Sequence, residues 1–299
     1  MIPVERRNLR LRVSVLLVPA LLLITALIVA GCGSHSSKRT SDASRQPSPA
    51  EVRKFTFHSA ILDRDIPIKV FLPAGYTTSD KRYPVLYMLH GLDPFITENW
   101  EWEDFGIFWQ AETRMSSGEL PPFIIVLPQG EQGYWIDQYG GPSWSKYVAQ
   151  DVVTAIDTGY RTITAPGSRA IGGLSMGADG ALQIAMSNPG VFGIVGMHSP
   201  ALRPMEYAGA YYGDFYHFNA YYPPSQVQSD PEAARRLKIE LDAGDSDDWL
   251  PNTEWFHTEL ESLEIPHTYN RWPGRHDGYY WGSHIPDYFK FYAQAFGQN

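Results

Sequence analysis

The sequence predicts an α/β sandwich, a mostly parallel sheet with helices on both faces, and three observations carry that expectation. Val85 to Leu89 (VLYML) and Phe123 to Leu127 (FIIVL) are continuous apolar runs, the pattern of strands buried on both faces of a parallel sheet. Such runs alternate with segments of helical period, which is the order of an α/β protein. Ile171 to Gly180 (IGGLSMGADG) sets a serine between two glycines, after the strand-like lead-in Arg169, Ala170, Ile171. Beyond it Ala178, Ala181, Leu182 and Ala185 fall at the i, i+3, i+4, i+7 spacing of a helix face, and Asn188, Pro189 and Gly190 stop that helix.

The chain has 299 residues, 43% of them hydrophobic, enough for one large domain once its start is set aside. Arg6, Arg7, Arg10 and Arg12 precede the largely apolar run Val13 to Ala30, which leads into Val29, Ala30, Gly31, Cys32. Residues 1–31 therefore read as an export signal. The last quartet resembles the lipobox of bacterial lipoproteins, which implies lipidation of Cys32, the single cysteine of the chain. An uncleaved membrane helix is the alternative, since the run is nearly long enough to span a bilayer. Residues 32–50, rich in Ser, Arg and Pro, read as a flexible tether, leaving residues 51–299 as the folded domain. Net charge is −9, and the signal itself carries +3 (four arginines, one glutamate), so the chain without it stands at −12. That balance argues against a nucleic-acid partner.

Within the domain, Lys54 to Ala60 and Pro67 to Leu72 alternate as strands around a polar turn at Asp63, Arg64 and Asp65. A Trp-rich loop and a helix through Met115 fill the space between the two buried runs. Tyr147 to Tyr160 is a predicted helix, with Val148, Val152, Ala155 and Ile156 on one side and Asp151 exposed or hydrogen-bonded. Strands follow at Phe192 to Met197, Leu237 to Leu241 and His267 to Trp272, and helices at Glu254 to Leu263 and Ile285 to Phe296.

The glycine-flanked serine has the G-x-S-x-G form of a nucleophile elbow, a sharp strand-to-helix turn that exposes the hydroxyl of Ser175. A serine needs a base to take its proton, and the base needs a carboxylate to fix its tautomer. Leu237 to Leu241 runs into the acidic turn Asp242 to Asp248, at the strand end where ligand sites of open α/β sheets lie. Asp247 is the chosen acid, with Asp245 and Asp248 as alternatives. For the base, His276 lies in a glycine-bracketed loop between the last strand and last helix, with His284 and His198 as competitors. Of the other histidines, His58 and His90 are assigned to strands and His217 to an aromatic loop. The backbone N–H groups of Leu92 and Met176 are the expected oxyanion donors.

The segments PIKVFLPAGY (67–76), YPVLYMLHG (83–91), DTGYRT (157–162), IGGLSMGADGAL (171–182) and GRHDGYYW (274–281) together resemble the esterase D family of α/β-hydrolases. That group includes feruloyl esterases, S-formylglutathione hydrolases and antigen 85-type mycolyltransferases. The resemblance implies an α/β-hydrolase fold with Ser175 as nucleophile, His276 as base, Asp247 as acid and Leu92 with Met176 as oxyanion hole. Ala178 departs from the second glycine frequent after SMG in the family, and the acid's turn varies among its members.

The expected activity is an exported, membrane-tethered serine esterase acting on a small-molecule or carbohydrate-linked ester, with no cofactor. Acyl transfer to a sugar or lipid hydroxyl is the first rival, and a non-catalytic envelope binding protein the second. The chain has no H-E-x-x-H and no cysteine pair, so no metal site is expected. Trp100, Trp102, Trp135, Trp249 and Trp281 lie near loops expected to surround Ser175, which is compatible with an aromatic or sugar-linked ester; packing of the core or a cap is the competing role.

Overall fold

The computed structural model describes residues 48–93, 98–207 and 210–297. The expected signal, Cys32 and most of the tether fall outside them. Eight strands form one sheet: β1 (Glu51–Ser59), β2 (Arg64–Leu72), β3 (Val85–Leu89), β4 (Ile124–Leu127), β5 (Arg169–Leu174), β6 (Ile194–His198), β7 (Lys238–Gly244) and β8 (His267–Trp272). Their order is β1-β2-β4-β3-β5-β6-β7-β8. β1 and β2 are an antiparallel edge hairpin, β2 is antiparallel to β4, and every later pairing is parallel. The expected α/β-hydrolase architecture is the one observed.

β5, which ends one residue before Ser175, sits between β3 and β6 in the middle of the sheet, and every residue of it is buried. Because successive side chains of a strand point to opposite faces, β5 feeds two separate cores. Ile171 joins the core beneath the elbow helix, Met176–Ser187, while Ala170 and Leu174 join the one beneath the closing helix, Gly278–Gly297. Tyr292 of the closing helix lies across Gly172 and Gly196, where any Cβ would collide with its hydroxyl. Those two glycines set how closely the helix approaches the sheet.

Several boundaries differ from expectation for physical reasons. The closing helix begins at Gly278 rather than Ile285, because Asp277 caps it: Tyr280 N–H donates to Asp277 Oδ1 at 3.0 Å. Pro286 then falls inside the helix, removing the N–H that the carbonyl of Gly282 would accept; Gln110 Nε2 donates to that carbonyl instead (3.1 Å). The helix expected from Tyr147 opens with a π-helical stretch, Tyr147–Val152, before Val153–Gly159 becomes α-helical. Asp151, on the wider turn, accepts from Ser59 Oγ (2.6 Å) and Ile61 N–H (2.9 Å).

Between β6 and β7 the structure adds short helices at Phe215–Tyr221, Pro223–Ser229 and Pro231–Arg235, where none was expected. Asp214 and Asp230 cap the first and third through the N–H groups of His217 and Ala233. His217 is therefore helical and not in a loop, and His90 lies one residue past β3 rather than in it.

Candidate active site

The elbow departs from ordinary backbone geometry. Ser175 has φ 53° and ψ −117°, a conformation that costs an L-residue on the order of 1–3 kcal/mol and survives because its surroundings leave no alternative. Ser175 N–H donates to the carbonyl of His198 on β6 (3.1 Å), and its own carbonyl accepts from Ala178 and Asp179 in the first helical turn (3.0 and 3.2 Å). A Cβ at Gly173 would strike the backbone of Gly177, and one at Gly177 would strike the carbonyls of Leu89 and His90. The two glycines of the motif thus let the helix start press against the end of β3.

Two loops bring the partners to the hydroxyl. The turn after β7 and the loop after β8 are stitched together by Asp245 N–H to the Trp272 carbonyl (2.8 Å), Ser246 N–H to the Gly274 carbonyl (2.9 Å) and Gly274 N–H to Asp245 Oδ1 (3.1 Å). Gly244 permits this approach, since a Cβ there would meet the Gly274 carbonyl. In the result His276 Nε2 lies 2.9 Å from Ser175 Oγ, and His276 Nδ1 lies 2.9 and 3.1 Å from the two oxygens of Asp247. The Asp247 side chain is fully buried and also accepts from Trp249 N–H at 2.7 Å. His276 keeps 20% of its side chain exposed and packs edge-on against Trp281.

The competing residues are elsewhere. Asp245 is exposed; its carboxyl is held below the usual range, first by the Gly274 N–H and then by Ser246, and it ties the two loops together. Asp248 is exposed. His284 stacks on Trp272 and pairs with Asp287 (3.0 Å) on the closing helix. His198 is sealed beneath the sheet, with Nδ1 2.6 Å from Asp242 Oδ2 and Nε2 2.9 Å from the Tyr292 hydroxyl.

The turn that carries Leu92 is braced by residues the sequence reading did not single out for this role. His90 is buried, and burial lowers its pKa to about 4, leaving the ring neutral at pH 7. Its Nδ1–H donates to the Gly91 carbonyl (2.7 Å) while Nε2 accepts from Gly130 N–H (3.1 Å). Glu101 Oε2 accepts the Gly91 N–H (2.8 Å), and burial raises the pKa of that carboxyl. Asn99 and Gln129 complete the brace through paired bonds of 2.7 and 2.8 Å. The N–H groups of Leu92 and Met176 are taken up by no backbone acceptor among the described residues. Of the five tryptophans expected near the site, Trp102 and Trp135 are sealed in the core, with their ring N–H groups on the carbonyls of Leu89 (2.9 Å) and His90 (3.1 Å). Trp100 lies under Lys54 and Lys69. Trp249 and Trp281 remain beside the histidine and its acid.

This arrangement can move a proton from a serine hydroxyl to an imidazole whose far nitrogen is held by a buried carboxylate. Comparison with known proteins places the chain among esterases. The chain is 28% identical over 262 residues to "Esterase Rv1288" of Mycobacterium tuberculosis, covering 74% of this chain and 55% of that protein. It thus spans about half the length of the curated relatives it matches. Among solved structures, a ferulic acid esterase superposes with a TM-score of 0.73 at 24% identity, covering 83% of this chain and 99% of its own. An S-formylglutathione hydrolase from Agrobacterium tumefaciens gives a TM-score of 0.69 at 19% identity, covering 83% and 96%. The family model described as "Putative esterase" matches residues 59–292, a span that takes in the sheet from β2 to β8 and both loops that meet at Ser175, and the chain belongs to this esterase family.

Proposed function

We propose that the protein is a serine carboxylic ester hydrolase in which Ser175 is the nucleophile, His276 the general base and Asp247 the acid that orients it. One observation carries the reading: His276 is within hydrogen-bond distance of both Ser175 Oγ and Asp247, on opposite ring nitrogens. Nε2 takes the proton as Oγ attacks the ester carbonyl, and the N–H groups of Leu92 and Met176 receive the oxygen that becomes negative. Asp247 keeps the proton on Nδ1 and stabilises the imidazolium. The protonated Nε2 then delivers its proton to the departing alkoxide, leaving the acyl group on Ser175. Water, deprotonated by the same nitrogen, releases the acid.

The N-terminal sequence adds a location to this reading: export followed by lipidation at Cys32, with the domain held outside the cytoplasm by the tether. Mass spectrometry of the native N-terminus tests it, and an unmodified Cys32 excludes it. Activity is tested by labelling with a fluorophosphonate and by turnover of a panel of 4-nitrophenyl, feruloyl, acetylated-sugar and glutathione thioesters. The expected result is turnover together with labelling that Ser175→Ala abolishes. Labelling that persists in Ser175→Ala moves the nucleophile elsewhere. An added alcohol acceptor that takes the acyl group in preference to water would convert the assignment to acyl transfer.

A further inference from the structure

The loop that follows β6 sets an arginine against Trp249, in the turn that holds Asp247. Ser199 and Leu202 in that loop both have positive φ, 49° and 44°. Ser199 N–H is held by the Asp242 carbonyl (2.9 Å) and Leu202 N–H by both carboxylate oxygens of Asp179 (3.1 Å each). Asp179 stands one turn beyond Ser175 on the elbow helix, so Arg203 leaves the loop beside the nucleophile's own helix. Its guanidinium lies over the rings of Trp249 (5.2 Å) and Tyr134 (5.7 Å), and Nη1 donates to the Tyr134 hydroxyl. Trp249 is the residue whose N–H is bonded to Asp247. The arginine is thereby tied to the helix that begins at Ser175 and to the turn that supplies Asp247.

The aromatic support is itself built under strain. Tyr134 and the following Trp135 have φ of 53° and 57°, two consecutive L-residues in the left-handed region, where strain persists only if the surroundings enforce it. Trp135 supplies the enforcement: its ring fills the space left by Gly130 and Gly180 and donates to the His90 carbonyl. Tyr134 is consequently fixed where it can hold Arg203. Among the described residues no carboxylate forms an ion pair with Arg203. Asp179, which is near, is committed to the Leu202 N–H, and burial pushes its carboxyl up to about 7, so at neutral pH it is a partial counter-charge only. In a chain of net charge −9, the loop after β6 thus holds a preorganised cation that Asp179 offsets only in part.

We infer that Arg203 is the anion-binding element of a substrate subsite, and that the ester turned over at Ser175 carries a carboxylate near the scissile bond; this rests on the reading of Ser175 as nucleophile. An arginine fork pairs with a planar carboxylate through parallel N–H donors, and the two flanking rings spare it the entropy of ordering on binding.

The test uses two matched pairs of esters. One places the charge on the acyl side, mono-4-nitrophenyl glutarate against 4-nitrophenyl valerate. The other places it on the alcohol side, 4-carboxyphenyl acetate against its methyl carboxylate ester. The quantity read is the ratio of kcat/KM for the charged over the neutral member. In at least one pair Arg203→Gln lowers that ratio by roughly 10- to 100-fold, the usual loss for a charge-assisted contact, and Arg203→Lys restores part of it. A ratio that Arg203→Gln leaves unchanged in both pairs, as a merely structural brace would, overturns the assignment. Calorimetric titration of Ser175→Ala with glutarate supplies a reading independent of turnover. Binding that disappears in the Ser175→Ala, Arg203→Gln double variant supports the subsite even if the protein hydrolyses no ester, in which case the reading of Ser175 alone fails; binding indifferent to Arg203 overturns it.

Discussion

Among the described residues, two of the histidine–aspartate pairs end on a hydroxyl. His276 joins Asp247 to Ser175, and His198 joins Asp242 to Tyr292, with a distance of 2.9 Å from Nε2 to the hydroxyl in both. Their surroundings separate them. The first lies on loops at the C-terminal ends of the strands, with part of its imidazole open to solvent. The second is fully enclosed between the sheet and the closing helix, with His198 stacked at 3.6 Å on Tyr288. Burial raises the pKa of the Tyr292 hydroxyl well above the ordinary value, and with both Tyr292 and His198 fully buried no substrate reaches the pair. Asp242 also accepts from the hydroxyl of Tyr280 at 2.8 Å, which fixes the start of the closing helix directly after the His276 loop. The inner pair anchors the helix, and the outer pair is the one proposed to do chemistry. Proximity of histidine, aspartate and hydroxyl is thus insufficient; access separates the two pairs.

Substitutions can break that contrast, and the largest effect belongs to the outer pair. Asp247→Asn leaves the contacts in place but reverses the imidazole tautomer, and kcat for the best ester falls by about 10⁴-fold with an unchanged melting curve. An activity close to wild type, or an equal loss in Asp245→Asn, would assign the acid to another residue. The inner pair responds in stability. Asp242→Asn leaves His198 and Tyr280 with a poorer buried partner and lowers the unfolding free energy by about 3–5 kcal/mol. In urea titrations that loss appears as an earlier midpoint, while fluorophosphonate labelling of Ser175 persists below the new midpoint. A smaller effect comes from Glu240, next to Asp242 on the same face of β7. Burial foremost, then repulsion from Asp242 and Asp287, pushes its carboxyl up to about 9. The fold therefore favours the protonated acid, and that stability is complete at low pH and is lost as pH rises toward 9. Glu240→Gln flattens the decline in Tm between about pH 5 and 9; a decline as steep as in wild type would show that Glu240 does not titrate there.

The sheet and the three residues that meet at the hydroxyl were readable because each leaves a local signature. A strand covered on both faces is apolar throughout, as in β3 and β4; a tight strand-to-helix turn demands glycines around Ser175; and a loop between the last strand and last helix has little choice but to reach over the strand ends. The braces were not readable, because they depend on residues remote in sequence. Nothing in His90 or Glu101 indicates that one will be desolvated beside Gly130 and the other will hold the Gly91 N–H. Gly172 could be recognised as part of the motif, but its reason, the Tyr292 ring laid across it, lies 120 positions away. Asp214 and Asp230, each with a Pro or an aromatic run beyond it, did carry capping signals for the short helices between β6 and β7. Arg203 carried none, since its role is set by Tyr134 and Trp249 on two other loops.

The position of β5 has a mechanical consequence. Its hydrogen-bond ladders run to β3 on one side and β6 on the other, so Ser175 cannot shift without both neighbours giving way. The histidine, in contrast, hangs on a surface segment fastened by a few bonds to the turn after β7. Mild denaturation is therefore expected to release the His276 loop before it disturbs Ser175, so that the activity proposed for this site is lost and regained while the sheet stays folded.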